Sequence, residues 1–579
     1  MRLRCLTMSA LAITTLIACK TGDRTPATAS PPADATELRA HCETHIGQPR
    51  VVEAAPGVWV AVGYDLANVI LIQTDEGSVI VDTAMSPARA RPIREAFGDR
   101  LREPVRAIVY THSHIDHIGG ASVWAEPETK IWATDAFVPH FLKQYDVFRV
   151  AESRRGARQF GRDVPLDQLP CSALGRRIDL DAALETGVRL PTNTFSGRAT
   201  FEVGGTRFEL VEAHGETDDQ LFVWLPERRV LLAGDNFYYT FPNLYTIRGT
   251  RPRPVREWIA SLDTMRRLKP EVLIGSHTIP TTSADQVQEV LRDYRDAIAW
   301  VFTQTVRGAN AGLTIDEIAE HAALPPHLAN KPWLRELYGQ VDWSARAIYT
   351  SELGWFDEDP ADLYPLPATT RARHLIDAMG GADAVARRIV EAGRAHDDRW
   401  VLDLVRWWRR ADLPLPGDVL ETWTTSLRRV AMQTPNTNGR GYLLQYALEI
   451  EGRVKAPGKP KLDDELVAAL PVDMFFQALT TRLRPHEALD VAETVRFDMT
   501  DLDQRWFVSI RNGVAEVATD APLPGAPPVV AHVVTTSETW KRLALKLINP
   551  LRAIASGNLK VVDGKVAFLK FITRFDRDL

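Results

Sequence analysis

The sequence predicts an α/β chain: a sheet sandwich flanked by helices, then an all-α region, then a small α+β domain. Three observations predict it. Short β-branched runs alternate with helix-like stretches through the first half. Val287, Val290, Leu291, Tyr294, Ile298 and Val301 then recur at helical spacing and open a mostly helical region. Near the end, Asn512-Gly513 separates two strand-like runs, 505–510 and 514–517, which is a strong hairpin signal. At 579 residues, 45% hydrophobic and 25% charged, the chain is an ordinary multidomain globular protein. A net charge of -6 and the lack of a basic tract exclude a nucleic-acid footprint, so small molecules are the expected partners.

The chain starts with Met1-Arg2-Leu3-Arg4 and an apolar stretch to Ile17, the charged start and short hydrophobic core of a secretory signal. It is too short to span a membrane as a helix. Leu16-Ile17-Ala18-Cys19 resembles a bacterial lipobox, which implies a signal peptide over 1–18, lipidation of Cys19 and a site on the periplasmic side of the cell envelope. A plain signal peptide with a chance cysteine is the alternative. Residues 25–36, rich in Pro, Ala, Ser and Thr, read as part of a flexible tether over 19–40. With Cys5 removed and Cys19 lipidated, Cys42 and Cys171 remain, either paired or buried apart.

Residues 58–62, 68–72 and 77–82 form a strand meander, and 105–110 a buried strand. That strand delivers His112, His114, Asp116 and His117, four candidate metal ligands within six residues, and Gly119-Gly120 lets the backbone turn behind them. Zinc favours such nitrogen and oxygen donors. Asp82, at the end of a neighbouring strand, reads either as a residue that orients a ligand histidine or as a solvated strand-end carboxylate. The run 112–117 resembles the signature of the metallo-β-lactamase-fold hydrolases, which implies an αββα sandwich.

From Asp135 to Thr200 the chain reads as helix and long loop, with Arg154-Arg155 as a solvated charged turn in preference to an anion site. A hairpin then carries Glu212 to Gln220 and ends, after a second strand, at Asp235. In the superfamily a third His stands between Gly and Thr in this hairpin. Here Gly215-Glu216-Thr217 places a carboxylate there, as the alkyl sulfatases of the superfamily do, with His214 as the rival register. His277 ends a further apolar strand. The resemblance implies that His112, His114 and Glu216 hold one zinc ion, Asp116, His117 and His277 a second, and Asp235 both.

Between these ligands, Pro242-Asn243-Leu244-Tyr245-Thr246-Ile247-Arg248-Gly249 resembles the substrate loop of the alkyl sulfatases. Arg248 can meet a sulfate with a two-pronged charged fork while Asn243 donates a further hydrogen bond; the bland reading is a pair that only stabilises the loop. The implied reaction is hydrolysis of alkyl sulfate esters by a hydroxide held between two zinc ions, with Asp116, Asn243 and Arg248 as the working residues. Attack at sulfur and attack at carbon are both compatible with these residues. Two departures from the family stand out: Asp235, where Glu is usual, and Thr278-Ile279 after His277, where a second His and a Trp are usual. Hydrolysis of another ester (a phosphodiester, lactone or β-lactam), or a lipid-binding envelope protein with a vestigial site, remain alternatives.

The catalytic domain is expected over 41–306 and a helical domain over 307–454. Gly354-Trp355-Phe356-Asp357, Pro365-Leu366-Pro367 and 436–442 resemble the alkyl sulfatase dimerisation region, which implies a homodimer. Trp355, Trp407 and Trp408 read as core or subunit contacts. A compositional break at 454–461 precedes the last domain, 462–579, whose Gly557-to-Gly564 stretch resembles the end of sterol-carrier-like domains. Such domains enclose apolar ligands, but an ordinary packed core would show the same residues.

Overall fold

The computed structural model describes residues 35–576, apart from 145–147, 179, 181, 456–457 and 459–460. Its first sheet has the order Arg50–Ala55, Val58–Val62, Val69–Thr74, Gly77–Val81, Val105–Val109, Lys130–Thr134, Asn193–Phe195. The first four strands form an antiparallel meander and the rest join in parallel. The second sheet runs Val272–Gly275, Val230–Gly234, Leu221–Leu225, Thr206–Glu212, Arg198–Val203. Strand 193–195 and the start of strand 198–203 lie in the stretch expected to be helix and loop; the first is only three residues long, whereas the second, Arg198-Ala199-Thr200-Phe201-Glu202-Val203, alternates polar and apolar cleanly and is a strand signal that sequence reasoning missed.

Side-chain alternation builds the layers. Val58, Val60, Ile70, Ile72, Val79 and Val81 pack between the sheets against Leu210, Val223, Leu232 and Ile274. Their neighbours Ala61, Val69, Leu71 and Ile80 face outward, where Ala90, Ile93 and Phe97 of helix Pro87–Phe97 cover them. Helices Val255–Arg267 and Ala284–Asn310 cover the second sheet, with Trp258, Leu262, Val290, Leu291 and Tyr294 against Phe222, Trp224 and Leu231. The result is the αββα sandwich the sequence implied. Strands fully buried on both faces end together at one edge of the sandwich, and their ends position the site.

Residues 35–40, expected to end the tether over 19–40, are not extended chain. Ala35–His41 is helical, with Leu38 fully buried beside Ile46, Leu66 and Cys171, because an apolar residue in a polar stretch found a core to join. Cys42 and Cys171 form a disulfide that fastens this segment to the loop containing Ala173 and Leu174. Residues 1–34, and with them Cys19, lie outside the described residues.

The helical region follows Ala284–Asn310 and ends with Thr437–Ile450, which packs against helix Arg149–Gln159 of the catalytic domain. Arg158 pairs with Glu449 at 2.7 Å there. A Cβ at Gly441 would stand 2.5 Å from the Gln159 carbonyl oxygen, so glycine is what allows the close approach. Trp408 is buried in this region's core, whereas Trp355 is 69% exposed on a protruding segment with Tyr364. In the C-terminal domain, Asn512 and Gly513 both take the positive φ the hairpin needs, 50° and 75°. Its sheet buries stacked rings of Phe476, Trp506 and Trp540, so aromatic side chains of the domain itself occupy its interior. Strand Lys461–Leu462 pairs with Glu185–Thr186, and Arg189 reaches Asp463 and Glu465, both at 3.0 Å, tying this domain to the catalytic one. Among the described residues no helix is long and apolar enough to cross a membrane.

Candidate metal centre

The turn after Val105–Val109 presents its ligand candidates because two glycines let it press against the chain behind. A Cβ at Gly119 would meet the Met85 carbonyl oxygen at 1.9 Å, and one at Gly120 the Thr83 oxygen at 2.2 Å. His112, Asp116 and His117 are buried, and His114 is half-buried above them. His112 Nε2 and His114 Nδ1 converge to 2.8 Å. The second sheet brings Glu216, Asp235 and His277 to the same place. His277 Nε2 lies 3.0 Å from Asp235 Oδ2 and 3.8 Å from Asp116 Oδ2, and His117 Nε2 lies 3.6 Å from Asp235 Oδ2. Glu216 Oε1 stands 4.0 Å from His114 Nδ1. Donor atoms form three overlapping clusters, His112-His117-Asp235, Asp116-His117-His277 and His114-Glu216-Asp235.

His214 lies apart from them. Its ring pairs with Glu212 at 2.9 Å, with its side chain 36% exposed. Two residues make this difference because the hairpin turns over Asn236, which accepts from the Glu216 backbone N–H and donates to the Ala213 carbonyl. Gly215 is required there, since a Cβ would fall 1.9 Å from Asn236 Oδ1.

Asp82 is fully buried, with a positive φ of 58°, and is not a solvated carboxylate. It accepts hydrogen bonds from the Thr111 backbone N–H, the Thr111 hydroxyl and the Ser276 hydroxyl, at 2.9, 3.0 and 2.6 Å. Its Oδ2 also lies 2.8 Å from His117 Nδ1. His277 Nδ1 is held in the same way by the Leu66 carbonyl, 2.9 Å away. These contacts put the N–H of each ring on Nδ1 and turn Nε2 into the cluster, the arrangement that metal-ligating histidines use.

Charge fits the same reading. Burial holds His112 in its neutral form, down to about 3, and holds His114 well below the ordinary value. Burial opposes charge on His117, yet Asp116, Asp235 and Asp82 outweigh it and raise that ring well above its ordinary value. Burial likewise opposes charge on Asp235, but His277, His117 and His112 hold the carboxyl well below its usual range. Glu216 is pushed up to about 7 by burial, with Asp235 adding to the rise and Arg253 opposing it. Three buried carboxylates, Asp116, Glu216 and Asp235, with Asp82 behind them, call for positive charge. His117 Nε2 and Asp235 Oδ1 are also buried without a hydrogen-bond partner. The neutral rings of His112 and His114, the carboxylates and the orphaned His117 Nε2 and Asp235 Oδ1 together fit a divalent cation.

The loop 242–249 lies over this cluster. Arg248 Nη2 is 3.2 Å from His114 Nε2, and its Nη1 donates to Thr246 Oγ1 at 3.0 Å. Both carboxamide atoms of Asn243 are buried without a partner. Sequence reasoning missed what holds this loop. Gln159 Oε1 accepts from the Thr246 hydroxyl and from the Arg248 backbone N–H at 2.9 and 2.7 Å. Arg155 is neither in a solvated turn nor at an anion: it sits in helix Arg149–Gln159 and donates twice to the Ile247 carbonyl, at 3.0 and 2.8 Å. An arginine spends its planar donors on an exposed carbonyl when a loop must be fixed, which nothing in the local sequence announces. Arg253 was also missed. Its guanidinium is buried and donates to both Glu216 Oε2 and the Asn243 carbonyl.

Comparison with known proteins agrees with this geometry. The metallo-beta-lactamase superfamily profile matches residues 62–277, the alkyl sulfatase dimerisation profile 314–453, and the alkyl sulfatase C-terminal profile 461–578. A linear primary-alkylsulfatase of Pseudomonas sp. (strain ATCC 19151) is 32% identical over 535 residues, covering 87% of this chain and 98% of its own. An (R)-specific secondary-alkylsulfatase of Pseudomonas sp. is 31% identical, covering 89% and 79%. The solved structure of a stereoselective inverting sec-alkylsulfatase from Pseudomonas sp. superposes with a TM-score of 0.83 at 27% identity, covering 94% of this chain and 90% of that one.

Proposed function

The chain belongs to the alkyl sulfatase family of metallo-β-lactamase-fold hydrolases, and from that premise we propose that it hydrolyses sulfate esters of apolar alcohols with two zinc ions. His112, His114 and Glu216 would hold one ion, Asp116, His117 and His277 the other, with Asp235 between them. Bound there, they would supply a water acidified enough to attack at neutral pH. The orphaned Asn243 carboxamide carries the sulfate reading. A buried amide with neither donor nor acceptor satisfied is costly, and an anionic oxygen in front of it gives its N–H a partner.

Arg248 and His114 extend the argument. When His114 leaves Nδ1 free for the cluster, its proton resides on Nε2, so that atom and Arg248 Nη2 become two donors at 3.2 Å. An oxygen bearing negative charge satisfies both. Gln159 and Arg155 keep the loop in place while the ester enters, and Asp82 keeps His117 turned inward. Elemental analysis of purified, zinc-reconstituted protein should give two zinc ions per chain, and dodecyl sulfate should be cleaved faster than a phosphodiester, lactone or β-lactam. One ion or none, or a preference for another ester, would overturn the reading.

Export is proposed as well, with lipidation of Cys19 and homodimers joined through the helical region. The Cys42–Cys171 disulfide supports an oxidising compartment, and the match to the dimerisation profile supports pairing. Cys19→Ala is expected to abolish labelled-palmitate incorporation and to leave an unlipidated protein that is either retained as precursor or released in soluble form. Unchanged membrane association would mean that another feature anchors the chain.

A further inference from the structure

Glu216 offers its two oxygens in different directions. Oε1 faces His114 Nδ1, and Oε2 is taken by Arg253, whose same Nη1 also donates to the Asn243 carbonyl. Both side chains are almost wholly buried, 6% and 3% exposed. Arg253 lies between Pro252 and Pro254, directly before helix Val255–Arg267, so the backbone that carries it has little freedom. Its Nε and Nη2 make no hydrogen bond among the described residues, so the group has donors to spare after fixing Glu216. Breaking such a pair would leave an uncompensated charge in the interior.

We propose that Arg253 is the positioning partner of Glu216, and that the two act as one unit in place of a neutral imidazole. This rests on the reading of the site as a zinc centre that takes an anionic ester. A carboxylate in the third-ligand position lowers the charge of the site by one relative to histidine, which disfavours an incoming sulfate. Arg253 restores that charge. It also fixes which carboxylate oxygen faces the cluster. Through the Asn243 carbonyl the same guanidinium joins the ligand to the substrate loop, so ligand and anion site are set by one contact.

A charge-swap series tests this, with binding of inorganic sulfate to zinc-loaded protein measured by calorimetry. Arg253→Met should weaken sulfate binding at least about tenfold, the effect of one charge a few ångströms from the anion in a partly screened site. Glu216→His alone should strengthen it. The double variant restores the net charge and should return to within about threefold of the parent. Arg253→Lys keeps the charge but cannot span Glu216 and Asn243, so it should bind sulfate nearly as well while kcat for dodecyl sulfate falls. A double variant as weak as Arg253→Met, or an Arg253→Met protein with parental sulfate affinity, overturns the proposal. Zinc content, measured on every variant, separates this from failure of the functional reading: loss of zinc or of all sulfate binding in the parent protein sinks that reading instead. If Arg253→Met does not fold, Glu216→Gln tests the same balance from the other side: it removes the charge that Arg253 compensates and should strengthen sulfate binding, and a Glu216→Gln protein with parental sulfate affinity overturns the proposal.

Discussion

Glu216→Ala is expected to leave one zinc ion per chain and to lose most sulfate ester turnover, while His214→Ala keeps both ions. The two residues are two positions apart, but the hairpin sends them to different surroundings. Glu216 faces His114 and Asp235, whereas His214 is paired with Glu212 at the surface. Removing the Glu216 carboxylate also strands Arg253 as a buried cation whose remaining hydrogen-bond acceptor among the described residues is the Asn243 carbonyl, so loss of the ion is reinforced by repulsion. Glu216→His restores the commoner ligand set of the superfamily and should retain metal. With Arg253 still present, that variant carries one more positive charge, so its pH profile should change and its turnover weaken as product sulfate leaves more slowly. Elemental analysis together with dodecyl sulfate assays reads all three variants. Two ions in Glu216→Ala with one in His214→Ala would place the ligand two residues earlier.

The sandwich was legible because its strands alternate cleanly or are apolar throughout, as in 58–62 and 221–225, and because the helix beginning at Ala284 has a strict apolar stripe. The seven ligand candidates were legible for a different reason: His112, His114, Glu216, Asp235 and His277 each stand shortly after a strand beside a glycine, serine or threonine, Asp116 and His117 follow in the short helix Ile115–Ile118, and the order is one a known family shares. What supports them was not. Arg155, Gln159 and Arg253 act through long side chains that reach residues 10 to 92 positions away, and their neighbours in sequence carry no sign of it. Arg253, between two prolines at a helix start, came nearest to a local signal. Asp82 was readable as a candidate but not as a decision, since burial separates an orienting carboxylate from a solvated one and burial depends on both sheets.

Arg248→Ala is expected to lower dodecyl sulfate turnover at least about thirtyfold and to leave zinc content unchanged. A charged hydrogen bond removed from a closed site costs on the order of 2 kcal/mol or more, and that loss falls on the transition state because the sulfate gains negative charge as the ester breaks. The loop itself should survive the substitution. Gln159 holds Arg248 through its backbone N–H and Arg155 holds Ile247 through its carbonyl, and neither contact uses the Arg248 side chain. Arg248→Lys should recover only part of the rate: an ammonium can replace one prong of the fork, but it cannot reach the sulfate and Thr246 in one plane. Zinc analysis beside steady-state kinetics distinguishes substrate recognition from ligation. An Arg248→Ala protein that keeps both ions and still turns over dodecyl sulfate at the parental rate would remove Arg248 from the anion site, leaving Asn243 as the loop residue that faces the sulfate.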